Sequence, residues 1–189
     1  MTGADVIARI LKAEGVTQVL NFPYSPIIDA MARAGIRIIT SRQERVAGNM
    51  ADGMSRSTNG RQIGTFTVQH SAGSENAFAG VAHAYTDSSP MLYLPGHPGL
   101  DAIGVSPTFD SEANYGATTK LAMKIFTTRQ IPERMRQAYT ALRSGRPRPV
   151  MVEIPSSVAT DEFEGDFDYE PVPWMRSGPD TGAVREAAE

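Results

Sequence analysis

Apolar residues recur along the chain in two alternating rhythms. Val6, Ile7, Ile10 and Leu11 stand at helical spacing, which predicts a helix over 2–14 with Thr2 as its cap and Gly15 as its stop. A short apolar run at 16–20 reads as a buried strand. Ser25 then caps a helix over 26–34, with Pro26 at the first helical position, and a second strand follows Gly35 at 36–40. Alanines, a valine and methionines predict a helix over 44–57, and β-branched and aromatic residues a strand over 62–69.

The alternation continues with a small-residue helix over 74–85 and a strand at 91–94. An irregular stretch broken by Gly and Pro occupies 95–119. A strand at 122–127, a helix over 131–142 and a last strand at 149–154 complete the series. Helices inserted between short apolar strands imply parallel pairing through crossovers. The expected fold is therefore α/β, an open parallel sheet with helices on both faces. Ligands of such sheets bind beyond the carboxyl ends of the strands.

From Pro155 the rhythm stops. Asp161, Glu162, Glu164, Asp166, Asp168 and Glu170 lead to spaced prolines and the one tryptophan, Trp174, which is linker composition pinned to the body by Trp174 and Tyr169. The last residues, 181–189, read as the opening turns of a helix without an apolar face. Charge divides at the same place. Residues 1–150 hold 16 basic and 11 acidic side chains, whereas 151–189 hold 2 and 10. The basic residues form no cluster with interleaved aromatics, so nucleic acid is not an expected partner. No cysteine is present among the 189 residues, which excludes disulfides and thiolate chemistry. No run reaches about 18 apolar residues and the N-terminus lacks a signal-peptide pattern, so a cytoplasmic protein without membrane contact is expected.

Four strand ends hold the candidate chemistry. Asn21 to Ser25 follows the first strand, Ser41 to Arg45 the second, Gln69 to Asn76 the third and Pro95 to Gly99 the fourth. Glu44 starts a helix, where the dipole favours negative charge. Spacing alone favours a solvated first-turn residue paired with Arg42 or Arg45. The turn at 71–73 offers backbone N–H groups at a helix N-terminus, or simply lets helix and strand approach closely. His70 and His97 each end a strand, a position that suits a structural histidine as well as a catalyst. His70-Ser71 lacks the Gly-x-Ser-x-Gly setting of a hydrolase, and no His/Asp/Glu cluster has metal-ligand spacing.

Several of these blocks together resemble one family. Val19-Leu20-Asn21-Phe22-Pro23 is followed by Arg42-Gln43-Glu44-Arg45, small residues and Met50-Ala51-Asp52-Gly53-Met54-Ser55-Arg56. Then come the turn at 69–76 and Ala82-His83-Ala84-Tyr85-Thr86-Asp87-Ser88-Ser89-Pro90. This order resembles the N-terminal pyrimidine-binding (PYR) domain of thiamine-diphosphate enzymes of the acetolactate-synthase type, over residues 2–160. The resemblance implies a PYR domain over 1–160 and, over 161–189, an acidic linker running into the start of a middle domain. It makes Glu44 the catalytic carboxylate that shares a proton with N1′ of the cofactor's aminopyrimidine. It places Pro23, Gly73 and Asn76 around the cofactor, and His97, Phe109 and His70 on the substrate side.

The sequence departs from the family pattern at Tyr24-Ser25, Gln43, Ala72, His97 and Asp110. Those departures put the keto-acid pair of acetolactate synthase in question. The family's second, pyrophosphate-binding (PP) domain, which holds the diphosphate and Mg²⁺ through Gly-Asp-Gly and a later Asn, has no counterpart. Ala51-Asp52-Gly53 lies inside the Glu44 helix instead. The resemblance thus implies a PP-domain partner, either a separate chain or the remainder of a longer one, and an oligomer built through PYR/PP contacts. The initial Met and the lack of a tag favour a split subunit. Apolar surface exposed at the strand ends would then be an interface. The expected activity is a 2-keto acid carboligase or decarboxylase. A 2-hydroxyacyl-CoA lyase and a non-catalytic partner-binding or regulatory module are the alternatives.

Overall fold

A computed structural model describes residues 1–23, 25–175 and 177–189. Tyr24 and the side chain of Ser25, both named above, lie outside what is described. Six strands pair in parallel throughout: β1 (Gln18–Asn21), β2 (Arg37–Thr40), β3 (Gly64–Val68), β4 (Met91–His97), β5 (Leu121–Lys124) and β6 (Pro149–Pro155). Their spatial order is β2-β1-β3-β4-β6-β5. The inner strands β3, β4 and β6 are buried along their whole length, as their near-continuous apolar runs require, while the edge strand β2 is half-exposed.

Period-two alternation divides the side chains between two cores. Leu92, Leu94, Val150 and Val152 face one layer, formed by α1 (Gly3–Ala13), α2 (Ser25–Arg33) and α6 (Ile131–Arg143). Met91, Tyr93, Phe66 and Met151 face the other, formed by α3 (Glu44–Ser57), α4 (Ala72–Thr86) and the short α5 (Ser111–Tyr115). Phe66 stacks on Tyr93 with ring centres 4.4 Å apart, and Tyr115 leans on Tyr93 at 5.1 Å. The chain runs outward from β1 to β2 and returns on the other side of β1 as β3. The strand order therefore reverses at the β1/β3 boundary, where ligands of such sheets gather.

Besides the shorter spans of β5, which ends at Lys124, and of β3, the structure differs from the sequence pattern in two regions. β4 continues past Leu94 to His97, because Val68 still pairs with Pro95 and His97 pairs with Pro155. The stretch that follows holds a 3₁₀ turn (Leu100–Ala102) and α5, which Asp110 caps by accepting from the Ala113 N–H at 3.1 Å. Five residues are too few for a 3.6-residue period to show. The region read as linker begins with α7 (Ser156–Thr160) and then runs along the first core, with Val172 buried and Phe163, Phe167 and Tyr169 partly so. Val172 N–H donates to Glu14 Oε1 at 3.1 Å, and Arg143 pairs with Glu14 Oε2 at 2.5 Å. The final helix α8 (Thr181–Ala188) buries none of its residues. Among the described residues no helix is long and apolar enough to cross a membrane.

Candidate cofactor and substrate site

At the carboxyl edge of the sheet, beside the β1/β3 boundary, a carboxylate is buried. Glu44 opens α3 and is only 6% exposed. Its partner is Asn76, whose Nδ2 donates to Oε2 at 2.5 Å, and not Arg42 or Arg45. The second turn of α4 supplies that amide because α3 and α4 cross at Gly48 and Gly80. A Cβ on Gly80 would lie 3.2 Å from the Arg45 carbonyl oxygen and 3.3 Å from Gly48 Cα. Glu44 and Asn76 each stand about one helical turn before the glycine at that crossing, so the close approach brings them together.

The turn between β3 and α4 completes this cluster. Ser71 holds φ 53° and ψ −116°, a conformation costly for an L-residue, and it swings the start of α4 toward Glu44. Gly73 follows and is buried. A Cβ there would lie 2.4 Å from Gln69 Cγ and 3.4 Å from Glu44 Oε1. Asn76 holds one carboxylate oxygen, and the backbone at Gly73 comes close to the other. Ser41, between β2 and α3, ties this corner to β1 through its N–H, which donates to the Asn21 carbonyl at 2.7 Å.

A second group adjoins the first turn of α4. A cavity of about 450 Å³ is lined by Glu75, His97, Phe109, Asp110, Lys124 and the loop 103–108. His97 ends β4 and is buried; its Nδ1 accepts the Gly99 N–H at 3.3 Å. Burial, then the neighbouring Lys124 charge, hold its pKa below the ordinary 6.5. Lys124 ends β5 and sits 3.1 Å from Glu153 of β6, both side chains buried. Burial pushes the Glu153 carboxyl up, and Ser111 and Lys124 oppose that rise.

Of the residues singled out in the sequence, the structure joins Glu44, Gly73 and Asn76 in one cluster, and His97 and Phe109 in another. Pro23 is exposed two residues past β1, and His70 is exposed with Nδ1 3.1 Å from Ser71 Oγ; both stand at the same sheet edge outside those contacts. Asp52 pairs with Arg56 at 2.8 Å, a structural contact within α3. The sequence pattern does not single out Lys124 and Glu153. Their signal is a single charge inside an otherwise apolar strand, Met123-Lys124-Ile125 and Val152-Glu153-Ile154.

A parallel sheet with a buried carboxylate beside a glycine turn at its switch point defines an α/β domain of the class whose ligands lie beyond the strand ends. The chain belongs to the family described as thiamine pyrophosphate enzyme, N-terminal TPP binding domain, which matches residues 1–120. The acetolactate synthase large subunit of Haemophilus influenzae is 31% identical over 184 residues, covering 94% of this chain and 32% of that protein. The acetolactate synthase isozyme 3 large subunit of Escherichia coli K12 is 32% identical over 165 residues, covering 84% and 28%. The glyoxylate carboligase of Escherichia coli O157:H7 is 30% identical over 196 aligned positions, covering 100% and 33%. The chain thus spans about a third of the length of these curated relatives.

Proposed function

We propose that this chain is the PYR part of a thiamine-diphosphate-dependent 2-keto acid carboligase or decarboxylase, and that Glu44 exchanges a proton with the cofactor's aminopyrimidine ring. The observation that carries this reading is the buried Glu44 carboxylate, anchored on one oxygen by Asn76 and approached on the other side by Gly73. These residues fit the group: Asn76 engages Glu44 Oε2, and Glu44 Oε1 lies 3.4 Å from where a Cβ on Gly73 would stand, so the glycine leaves that oxygen uncrowded for a ring nitrogen. When bound, thiamine diphosphate supplies a nucleophilic carbon and a sink for the electrons left by bond cleavage.

The chain's own residues do the rest. Glu44 holds a proton at ring nitrogen N1′ and takes it back, the task of a placed general acid/base. Asn76 fixes the carboxylate plane, Gly73 keeps side-chain atoms away from the ring, and Pro23 walls the pocket from β1. His97, Phe109 and His70 face the substrate. Residues 1–160 form the PYR domain and 161–189 the linker toward a middle domain. The diphosphate and Mg²⁺ belong to a PP domain carried by a partner chain or by the remainder of this one. Ile103 and Val105, exposed on the rim of the cavity, suit such a covering surface.

Two measurements test this reading. In isolation the chain should show no turnover and at most weak cofactor binding; tight Mg²⁺-dependent binding by calorimetry would contradict the need for a partner. Assembled with its PP domain, Glu44→Gln should lower turnover by about 10²–10⁴-fold with the fold intact. Unchanged turnover in that variant overturns the role of Glu44. An assembly with no thiamine-dependent turnover at all favours a non-catalytic module.

A further inference from the structure

We propose that Lys124, seated on Glu153, is a positioning residue that presents His97 to the adjoining cavity as a neutral hydrogen-bond donor through Nε2. The sheet register sets up the arrangement. Lys124 pairs with Glu153 across β5/β6, so their side chains leave the sheet on the same face. Glu153 stands two residues before Pro155, which pairs with His97 across β4/β6. All three side chains therefore emerge from one face at the carboxyl edge, and His97 and Lys124 both line the cavity.

The Gly99 N–H donates to His97 Nδ1 at 3.3 Å, so in the neutral ring the proton resides on Nε2. Burial disfavours a charged ring, and so do the Lys124 ammonium on β5 and His70 after β3. Asp110 before α5 acts in the opposite direction. Glu75 on α4 also lines the cavity, and Glu153 on β6 is already engaged with Lys124. A lone cation this deep is costly, and the Glu153 carboxylate 3.1 Å away offsets that cost. Beside Phe109, a neutral ring offers one directed N–H to a carbonyl or carboxylate oxygen and leaves the positive charge to Lys124.

This inference rests on reading the cavity as the substrate side of the cofactor site, yet its test needs neither cofactor nor partner. The chain holds three histidines, His70, His83 and His97, and His97→Gln assigns the third. Long-range ¹H–¹⁵N spectra of the 189-residue chain across pH should show His97 with its proton on Nε2 and a titration midpoint below 6.5. Lys124→Met should shift that midpoint upward, and Lys124→Arg should leave it low. If Lys124→Met does not fold, Lys124→Gln, which removes the same charge and can still hydrogen-bond Glu153, carries the same expectation. A proton on Nδ1, or a midpoint that Lys124→Met does not move, overturns the proposal. Either failure leaves the role of Glu44 standing, and a failure of Glu44 in the assembled enzyme leaves this titration as it is.

Discussion

Glu44 and Asn76 form a bond that links two helices near their N-terminal ends, and Glu44 is buried while Asn76 reaches solvent. Asn76→Ala leaves the buried carboxylate without that donor. We expect a loss of about 1–2 kcal/mol in urea unfolding of the chain, and an unchanged midpoint would show that water replaces the amide at no cost. Spacing alone makes Glu44 a surface residue, because first helical turns are commonly acidic. What spacing does not carry is the close approach of α4. That approach depends on two glycines far apart in the chain, Gly48 on α3 and Gly80 on α4. Only the ordered blocks around Pro23, Glu44 and Gly73 point to the carboxylate as a reacting group. Lys124 and Glu153 are harder to find, since each is one charge in an apolar run and the partner lies in another strand.

At the scale of elements, the helices with strong caps and periods are legible and the short ones are not. The helix over 44–57 is legible at both ends. α1 carries a capping box of Thr2 and Asp5, whereas α5 and α7 have five residues each and no period to read. The α3/α4 crossing and the exposed side of α3 make opposite demands on two glycines. Gly80→Val pushes a side chain against the Arg45 carbonyl and Gly48 Cα, and we expect a loss of about 1–3 kcal/mol together with displacement of Asn76 from Glu44. Gly53, exposed on α3 with nothing near its missing Cβ, should accept alanine with a gain of roughly 0.5–1 kcal/mol. Thermal unfolding of both variants checks the contrast. The α1 cap adds a pH signature. The Arg33 guanidinium, then the Thr2 N–H, hold the Asp5 carboxyl at about 2, below its ordinary 3.8. A lowered acid pKa stabilises the fold above 3.8, and that contribution is lost as pH falls toward 2. Asp5→Asn should therefore flatten the fall in melting temperature over that window. Added salt should shrink the difference, because Arg33 is largely exposed.

Across the whole molecule, the alternation of apolar runs makes a parallel sheet readable, but not the order β2-β1-β3-β4-β6-β5, because crossover lengths do not say which side a strand joins. The charged tail misleads in a physical way: its acidic residues face water while Phe163, Phe167, Tyr169 and Val172 turn inward between them. Ending the chain after Thr160 should cost about 1.5–3 kcal/mol for Val172 alone, whereas removing only α8, which buries nothing, should leave stability within about 0.5 kcal/mol. Denaturant unfolding of the two truncations separates them. On the proposed function the chain carries one side of an active site, so the central claim is tested in the assembly with the PP domain that reading requires. There, the rate at which the cofactor's thiazolium C2 proton exchanges with deuterated solvent reads the proton traffic at Glu44 before any substrate binds. Glu44→Gln should slow that exchange by about 10²–10⁴-fold while the cofactor remains bound; exchange at the wild-type rate with the cofactor in place would contradict the account.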